Sequence, residues 1–323
     1  MYRVASLFCG CGGVDLGTVG GFTFNKKEYA PHPCKLVYAC DIDQKAIDSH
    51  KLNFQSEKLE CADICAVDAN DIADCDILTG GFPCQSFSTV NPTKDPFDER
   101  ANLYKQMARV VQEKQPKVFV AENVKGMMTL HKGTIFKRVI STFEEAGYKI
   151  FYSLLNAADY GVPQKRERII IVGIRNDIWE KKGDFSFPKK TNENNWVPLS
   201  VAVPKLAIEN NKYYFSERAV LGMKNAKNNM KRGLYQNLNE PCLTITSHLA
   251  KVSLNSRDPV LLVDPEKELY RRFTPLEAAR IQSFPDDFKF AGTDTNAYRQ
   301  IGNAIPPVLF WYITDAIVKY LKE

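Results

Sequence analysis

The chain has 323 residues with a formal net charge of +5 at pH 7, and 44% of its residues are hydrophobic. This composition excludes a disordered chain and provides apolar material for one large globular domain with a smaller one. Apolar runs such as Val118–Ala121 and Ile169–Ile174 are far shorter than the roughly 20 residues that cross a bilayer. We therefore expect no membrane association, no signal peptide and a cytoplasmic location.

Short runs rich in β-branched residues alternate with helix-like stretches through the first half of the chain. The predicted strands are Val4–Phe8, Leu36–Cys40, Asp76–Thr79, Val118–Glu122, Ile150–Leu155 and Ile169–Ile174. Such alternation indicates an α/β fold with a doubly wound sheet. A loop is predicted over Asn91–Pro96, ahead of a helical stretch that begins near Leu103.

The alternation fades between Asp177 and Tyr270, where asparagine and lysine accumulate. This change predicts a second, smaller domain over residues 177–270. Apolar periodicity returns at Leu276 and again from Val308 to Tyr320. Residues 1–176 and 271–323 are therefore predicted to form the first domain together.

The nine cysteines are odd in number and scattered along the chain, which is typical of reduced thiols in an intracellular protein. The pairs Cys9/Cys11 and Cys61/Cys65 lack a second pair at the spacing of a zinc site. We therefore expect no metal centre. The modest positive charge tolerates a polyanionic partner but does not require one.

A glycine-rich turn follows the first predicted strand, with Gly10, Gly12 and Gly13 closely spaced after Phe8. Glycines let a backbone turn sharply and approach a ligand, although a tight structural turn would use them as well. The spacing does not fit the dinucleotide fingerprint, which needs its third glycine further along. A nucleoside cofactor without phosphates, such as S-adenosylmethionine, is favoured over a hydride carrier.

Two acidic positions come after later strands. Asp41 ends the second strand, where a carboxylate can accept hydrogen bonds from ribose hydroxyls, and Ile42 beside it can pack on a purine. Asp63, followed by Ile64, offers another carboxylate suited to an exocyclic amino group. Each acid alone is equally compatible with a solvated turn.

A thiol and a carboxylate follow two further strands. Cys84 lies after Gly80-Gly81-Phe82-Pro83, and Glu122 ends the strand that begins at Val118. Because these strand ends converge at the carboxyl edge of one sheet, both side chains are expected in the same crevice. A thiol beside a carboxylic acid indicates covalent chemistry on a heterocycle.

At these segments the chain resembles the DNA cytosine-5 methyltransferase family, and its bacterial restriction-modification type in particular. The matching segments, in the family's order, are the glycine turn after Phe8, Asp41-Ile42, Asp63-Ile64, Pro83-Cys84-Gln85, Glu122-Asn123-Val124, Gln164-Lys165-Arg166-Glu167-Arg168, Arg272–Pro285 and Gln300-Ile301-Gly302-Asn303-Ala304. The resemblance covers nearly the whole chain. It departs at Ala62 and Ala101, where glycine is frequent in the family, and neither position touches the expected chemistry.

The resemblance implies a Rossmann-like S-adenosylmethionine-dependent methyltransferase fold, with residues 177–270 as the target recognition domain. S-adenosyl-L-methionine would be the cofactor and S-adenosyl-L-homocysteine the product. The implied cofactor-binding residues are Phe8, Gly10, Gly12, Gly13, Asp41, Ile42, Asp63, Ile64, Pro83, Leu103, Asn303 and Ala304.

The resemblance also implies the catalytic roles. Cys84 would add as a thiolate to carbon 6 of cytosine, and Glu122 would donate to ring nitrogen 3. Arg166 and Arg168 alternate on a predicted strand, so both would face one side and hold the base carbonyl or position Glu122. A surface salt-bridge ladder is the alternative for these arginines. Asn123 would be chiefly structural.

Double-stranded DNA is the implied substrate, with the target cytosine flipped out of the duplex. The loop after Ser86 would close over it, with Ser88, Thr89 and Val90 near the vacated position, and Thr244 and Thr246 resemble an anchor of the recognition domain. The basic residues Lys224, Lys227, Lys231 and Arg232 would line one helical face against phosphates or remain merely solvated.

Two alternatives stay open at this point. A tRNA cytosine-5 methyltransferase would share the scaffold and chemistry, and an inert cofactor-sensing DNA-binding protein would share only the fold. Gln85-Ser86-Phe87-Ser88 and the sizeable recognition segment favour the DNA enzyme. We expect a monomer, encoded in some settings beside a restriction endonuclease.

Overall fold

The computed structural model describes residues 1–83, 103–225, 235–251 and 259–322. Its strands, in chain order, are β1 (Tyr2–Leu7), β2 (Phe22–Phe24), β3 (Lys27–Tyr29), β4 (Cys34–Asp41), β5 (Lys58–Cys61), β6 (Ile77–Gly80), β7 (Val118–Val124), β8 (Tyr148–Asn156), β9 (Gln164–Lys165), β10 (Glu167–Arg175), β11 (Cys242–Leu243), β12 (Leu261–Asp264) and β13 (Leu269–Arg271). Its α-helices are α1 (Gly13–Val19), α2 (Gln44–Asn53), α3 (Leu103–Lys114), α4 (Thr134–Glu145), α5 (Asn176–Lys182), α6 (Glu217–Asn225), α7 (Pro275–Ile281), α8 (Asp294–Asn303) and α9 (Pro307–Lys322).

A seven-stranded sheet in the order β5-β4-β1-β6-β7-β10-β8 organises the fold. Neighbouring strands from β5 to β7 are parallel, whereas β10 is antiparallel to both β7 and β8. The doubly wound α/β class predicted from the sequence is confirmed. The strand β5, which the sequence indicated only by the strand end expected before Asp63, is a short edge strand with two charged residues among its four.

Alternating side chains of the central strands fill two apolar layers. Val118 and Val120 of β7 pack with α9 on one face, whereas Phe119 and Ala121 pack with α3 and α4 on the other. Because side chains of a strand point alternately to opposite faces, a sheet covered by helices on both sides needs apolar residues at successive positions. The continuous apolar runs of the sequence follow from this arrangement.

Residues of the predicted second domain form a third apolar cluster with α7 and α8. Leu199, Cys242 and Ile245 are buried there against Ile281 and Ile301. The segment at Phe185 instead packs in the first cluster beside α9. After β10, the chain therefore packs in the first cluster around Phe185 and enters the third cluster by Leu199.

The C-terminal helices belong to the core. The stretch Asp294–Lys322 is long and apolar enough to cross a membrane by length and composition, but 72% of its most apolar window is buried inside the protein. Within it, α9 packs closely on α1, where a Cβ at Gly17 would lie 2.6 Å from the carbonyl oxygen of Pro307. Its apolar character is therefore explained by packing.

A buried ion pair fixes the start of α7. Arg271 is fully buried and donates to both carboxylate oxygens of Glu277, at 2.8 and 2.7 Å, and to the carbonyls of Lys205, Leu206 and Arg272. Glu277 also completes a capping box with Thr274, which satisfies free N–H groups of the first helical turn. This joint attaches α7 to the segment at residues 205–206.

Candidate active site at the carboxyl edge of the sheet

The parallel strands β1, β4, β6 and β7 end at one edge of the sheet, and the predicted site residues follow those ends. This is the position at which open α/β sheets bind ligands, outside the carboxyl ends of the strands. The edge has two parts, a glycine turn after β1 and a carboxylate at the end of β7.

The glycine turn after β1 is held by Asp41 at the end of β4. Phe8 and Gly10 have φ angles of 54° and 55°, in the left-handed region. This backbone conformation is sterically unfavourable for Phe8 but not for a glycine. The N–H of Gly10 donates to Oδ2 of Asp41 at 2.8 Å, and Oδ1 accepts from the N–H of Asp43 at 2.9 Å. Burial raises the pKa of the Asp41 carboxyl above its ordinary value.

The glycines of the turn differ in what surrounds them. A Cβ at Gly10 would meet no atom within 4 Å, so the backbone there faces open space. A Cβ at Gly12 would lie 2.2 Å from the ring of Phe54, and one at Gly13 would lie 2.6 Å from the carbonyl oxygen of Ile305. Gly12 and Gly13 are therefore explained by packing, whereas Gly10 leaves its backbone accessible to a ligand.

Other predicted cofactor residues surround this open edge. Ile42 is 71% exposed, which is high for a large apolar side chain. Asp63 is exposed, and one of its carboxylate oxygens accepts from the N–H of Cys65, whereas Ile64 is buried. Pro83 is exposed and Leu103 is partly buried at the start of α3. Near α8, Asn303 is exposed and Ala304 partly buried.

Glu122 lies near the end of β7, close to the segment that follows β6. A Cβ at Gly81 would lie 3.3 Å from Oε2 of Glu122, so the glycine leaves room for the carboxylate. The neighbouring Asn123 is buried, and its amide nitrogen donates to the carbonyl of Phe82 at 3.1 Å. This bond ties the end of β7 to the segment leading to residue 84, in keeping with the structural role predicted for Asn123.

Arg168 is the partner of Glu122. In the antiparallel pairing of β10 with β7, Ile170 lies opposite Glu122 and Arg168 opposite Val124. Arg168 and Glu122 are thus diagonal neighbours on one face. Nε of Arg168 lies 2.8 Å from Oε1 of Glu122, and each side chain is 13% exposed. The pair is shielded from bulk water but remains accessible at the edge.

Arg166, which was predicted to share a role with Arg168, makes different contacts. It is 2% exposed, and its guanidinium donates to the carbonyls of Ile245, Gly302 and Ala304 at 3.1, 3.0 and 2.9 Å. Burial lowers the pKa of this guanidinium well below its ordinary value. Arg166 lies at the break between β9 and β10, and its guanidinium remains close enough to Arg168 and Glu122 for both charges to affect its pKa.

The prolines after α8 leave a buried carbonyl at the end of this helix without its usual backbone donor. The carbonyl of Gly302 would normally accept from the N–H four residues later, but that residue is Pro306, which has none. Arg166 supplies the donor instead. A buried carbonyl without a donor would cost about 1–3 kcal/mol. Arg166 thus stabilises the end of α8, where the predicted cofactor residues Asn303 and Ala304 lie.

Two buried glutamines, to which the sequence analysis gave no role, extend this network. Gln164 donates to the side chain of Gln282 at 2.5 Å and accepts from the N–H of Ile245 at 3.0 Å. Gln282 donates to the carbonyls of Ile301 and Ala304 at 2.7 and 2.8 Å. Both glutamines are completely buried. One indication of this network is visible in the sequence: the prolines after α8 have no N–H, so carbonyls at the helix end need side-chain donors.

The proposed recognition anchor lies against α8. A Cβ at Gly302 would lie 2.2 Å from the backbone of Thr246, so only glycine permits this contact. Thr244 donates its hydroxyl to the carbonyl of Lys165 at 2.7 Å, and the hydroxyl of Thr246 accepts from the N–H of His248. The structure therefore brings the predicted anchor and the predicted cofactor segment into direct contact.

A buried polar cluster lies behind the glycine turn. Potential metal-ligand atoms of Cys9, Asp15 and His50 lie within 4.8 Å of one another. Nε2 of His50 is 2.9 Å from Oδ2 of Asp15, so these two side chains already satisfy one another in part. Burial, followed by the nearby carboxylates of Asp15 and Asp41, raises the pKa of the Cys9 thiol.

Several predicted residues lie outside the part of the chain that the structure describes. They are Cys84, Ser88, Thr89, Val90, Lys227, Lys231 and Arg232, and nothing is described of the Lys224 side chain. The last described residue before Cys84 is Pro83, adjacent to the Phe82 carbonyl that Asn123 binds. Among the described residues, the edge can therefore accept a ligand at the turn and supply a carboxylate paired with a guanidinium.

Comparisons with known proteins agree with this architecture. The family model of C-5 cytosine-specific DNA methylases matches residues 2–319. The chain is 36% identical over 337 residues to the Type II methyltransferase M.NgoFVII of Neisseria gonorrhoeae, covering 94% of this chain and 83% of that protein. It is 33% identical over 329 residues to the Type II methyltransferase M1.ScrFI of Lactococcus lactis subsp. cremoris, covering 100% and 79%. The S. pombe Dnmt2 methyltransferase structure shares the fold with a TM-score of 0.72 at 20% identity, covering 100% of this chain and 99% of that one.

Proposed function

The chain belongs to the C-5 cytosine-specific DNA methylase family, and from this premise we propose how its residues transfer a methyl group to carbon 5 of cytosine. The enzyme is a DNA (cytosine-5) methyltransferase of the restriction-modification type. The observation that carries the proposed site is the Glu122–Arg168 ion pair at the end of β7. The carboxylate of Glu122 lies next to Gly81, and Gly81 precedes Cys84 by three residues in the sequence.

S-adenosyl-L-methionine is proposed to bind at the glycine turn. Three features fit a nucleoside there: open space at Gly10, a partly buried carboxylate at Asp41 and an exposed apolar side chain at Ile42. Asp41 would accept from ribose hydroxyls while holding Gly10, Ile42 would cover the purine, and Asp63 would accept from its amino group. When bound, the cofactor supplies an electrophilic methyl group and leaves as S-adenosyl-L-homocysteine.

The base is proposed to be activated by Cys84 and Glu122. The Cys84 thiolate adds to carbon 6, while Glu122 donates a proton to ring nitrogen 3, so that carbon 5 becomes nucleophilic and takes the methyl group. A solvent base then takes the proton from carbon 5, the electron pair of that bond restores the ring double bond as the Cys84 sulfur leaves as a thiolate, and nitrogen 3 returns its proton to Glu122. Arg168 would orient Glu122 through the 2.8 Å contact and would also donate to the base carbonyl.

Arg166 is proposed to act through position. Its three hydrogen bonds hold the end of α8 and the Ile245 carbonyl together, which keeps Asn303 and Ala304 at the cofactor edge. This assigns Arg166 to positioning and Arg168 to the chemistry.

The DNA substrate is proposed to be a duplex with a short specific sequence, from which the target cytosine is flipped. Ser88, Thr89 and Val90 would lie near the vacated position, and residues 177–270, with Thr244 and Thr246, would form the target recognition domain. A monomer acting on chromosomal DNA in a bacterial cytoplasm, with a restriction endonuclease of the same specificity as its genetic partner, fits this function.

The test is methyl transfer from labelled S-adenosylmethionine to a duplex library that covers all short sequence contexts, with tRNA as the competing substrate. We expect label in DNA, at a cytosine whose context bisulfite sequencing then identifies. Cys84→Ala should abolish transfer while retaining DNA binding, because flipping and nucleophilic attack use different contacts. Label in tRNA alone would support the tRNA enzyme, and label in neither would support an inert binder.

A further inference from the structure

The segment that follows Glu122 has an uneven charge. Between Asn123 and Phe143 the chain carries Lys125, His131, Lys132, Lys137 and Arg138 but neither aspartate nor glutamate, although the whole chain has 38 acidic against 43 basic residues. We name residues 125–138 the basic segment. Such a run is often only solvated, so its position in the fold decides what it can do.

The basic segment begins at the catalytic edge of the sheet. It follows β7 directly, and α4 then carries the chain back for β8, which is parallel to β7 because β10 is antiparallel to both. A crossover helix between parallel strands must return from the carboxyl edge to the amino edge. The start of α4 and the residues before it therefore lie at the edge where the reaction is proposed to occur.

The segment is anchored on its apolar side and exposed on its basic side. Met127 and Val139 are completely buried and Phe136 nearly so, in the layer beneath α4. The five basic residues are exposed. Lys125 lies 3.0 Å from Glu167, and among the described residues no carboxylate lies within 4.0 Å of a side-chain nitrogen of Lys132, Lys137 or Arg138. Exposed cationic side chains that are held on a rigid element and have no acidic partner remain available to bind the phosphates of a polyanion.

We propose that Lys132, Lys137 and Arg138 contact phosphates of the DNA duplex, on the catalytic side and separately from the recognition domain. This inference rests on the proposed DNA substrate. The contacts carry no sequence information and instead add affinity and set the position of the duplex over Glu122. Because bound phosphates release counterions, each lost contact should reduce the salt dependence of binding by about 1 in the slope of log K against log salt concentration.

The test compares two variants that remove equal charge from opposite edges of the sheet. The first is Lys132→Gln/Lys137→Gln/Arg138→Gln. The matched control is Lys149→Gln/Lys181→Gln/Lys182→Gln, at exposed positions near the amino end of β8, where Lys149 also lies 4.9 Å from the ring centre of Trp179.

Binding of a methylatable duplex and of an unrelated duplex is measured by fluorescence anisotropy between low and moderate salt. We expect the first variant to bind both duplexes at least about tenfold more weakly at low salt, with a slope smaller by about 2 to 3. The control should keep the wild-type slope, and both variants should keep wild-type S-adenosylmethionine affinity.

An unchanged slope in the first variant would overturn the inference, as would an equal loss in the control, which would indicate an effect of net charge alone. Methyl transfer to DNA by the wild-type protein is measured in parallel. If that transfer occurs while the slope is unchanged, only this inference fails, whereas absence of transfer is a failure of the proposed function.

Discussion

Replacing Arg166 or Arg168 with methionine is expected to have different effects, mainly on stability for Arg166 and mainly on catalysis for Arg168. Methionine keeps much of the apolar stem and removes the guanidinium. Arg166→Met removes donors from the carbonyls of Ile245, Gly302 and Ala304, of which Ala304 retains Gln282 as a donor at 2.8 Å. Arg168→Met instead removes the partner of Glu122.

The magnitude for Arg166→Met follows from the two carbonyls that lose the arginine. At about 1–3 kcal/mol for each unsatisfied buried group, the loss is about 2–6 kcal/mol, and release of a desolvated guanidinium offsets part of it. We expect a net decrease of about 2–4 kcal/mol in the free energy of unfolding. For Arg168→Met we expect a smaller decrease, but a fall in kcat of about 100-fold or more, because a group that orients the proton donor is lost.

Urea unfolding and steady-state methyl transfer, measured on both variants, separate the two roles. At a temperature where Arg166→Met is still folded, it should retain a substantial kcat with a raised KM for the cofactor. An Arg166→Met protein with wild-type stability and a kcat as low as that of Arg168→Met would refute the assignment of Arg166 to positioning.

Three further outcomes follow from single contacts. Because burial raises the pKa of Asp41, this acceptor becomes protonated at a higher pH than an ordinary aspartate when the pH is lowered. Calorimetry should show that S-adenosylmethionine affinity falls over that pH range in the wild type but not in Asp41→Asn. Protonation of Asp41 itself favours the folded state, because the folded state binds the proton more tightly than the unfolded state. Arg271→Met leaves Glu277 buried without its cation and should lower the free energy of unfolding by about 3–5 kcal/mol in urea; a loss below about 1 kcal/mol would contradict the buried pair. Gly302→Ala should lower the free energy of unfolding by about 1–3 kcal/mol or more, because the added Cβ clashes with the Thr246 backbone. Gly10→Ala should lower it by only about 1–2 kcal/mol, through its positive φ angle, but should weaken cofactor binding. Thermal unfolding and cofactor titration of both variants test this contrast.

The sequence predicted the elements whose pattern is local. Central strands such as β7 and β10 are nearly continuous apolar runs because helices cover both faces of the sheet, and such runs can be read directly from the sequence. The bounds of β5, the strand expected to end near Asp63, could not be predicted because an edge strand tolerates charged residues, as Lys58 and Glu60 illustrate. The placement of Asp41 at the glycine turn could be expected because parallel strand ends meet at one edge.

The sequence could not separate residues that share a motif but differ in their surroundings. Gly10, Gly12 and Gly13 look alike in the chain, yet their difference depends on Phe54 and Ile305, which are distant in sequence. Arg166 was grouped with Arg168 by strand alternation, but Arg166 donates to three carbonyls whereas Arg168 pairs with Glu122. Only the fold shows which guanidinium forms the ion pair with Glu122.

The most direct test of the account is whether Cys84 forms a covalent bond with the target base. The protein is mixed with S-adenosylmethionine and duplexes that carry 5-fluorocytosine in all short contexts, because fluorine cannot leave as a proton does and the adduct persists. We predict a denaturant-resistant complex whose digestion yields a DNA-linked peptide containing Cys84, and no complex for Cys84→Ala. Methylation of ordinary DNA without any such adduct, or an adduct through another cysteine, would contradict the account.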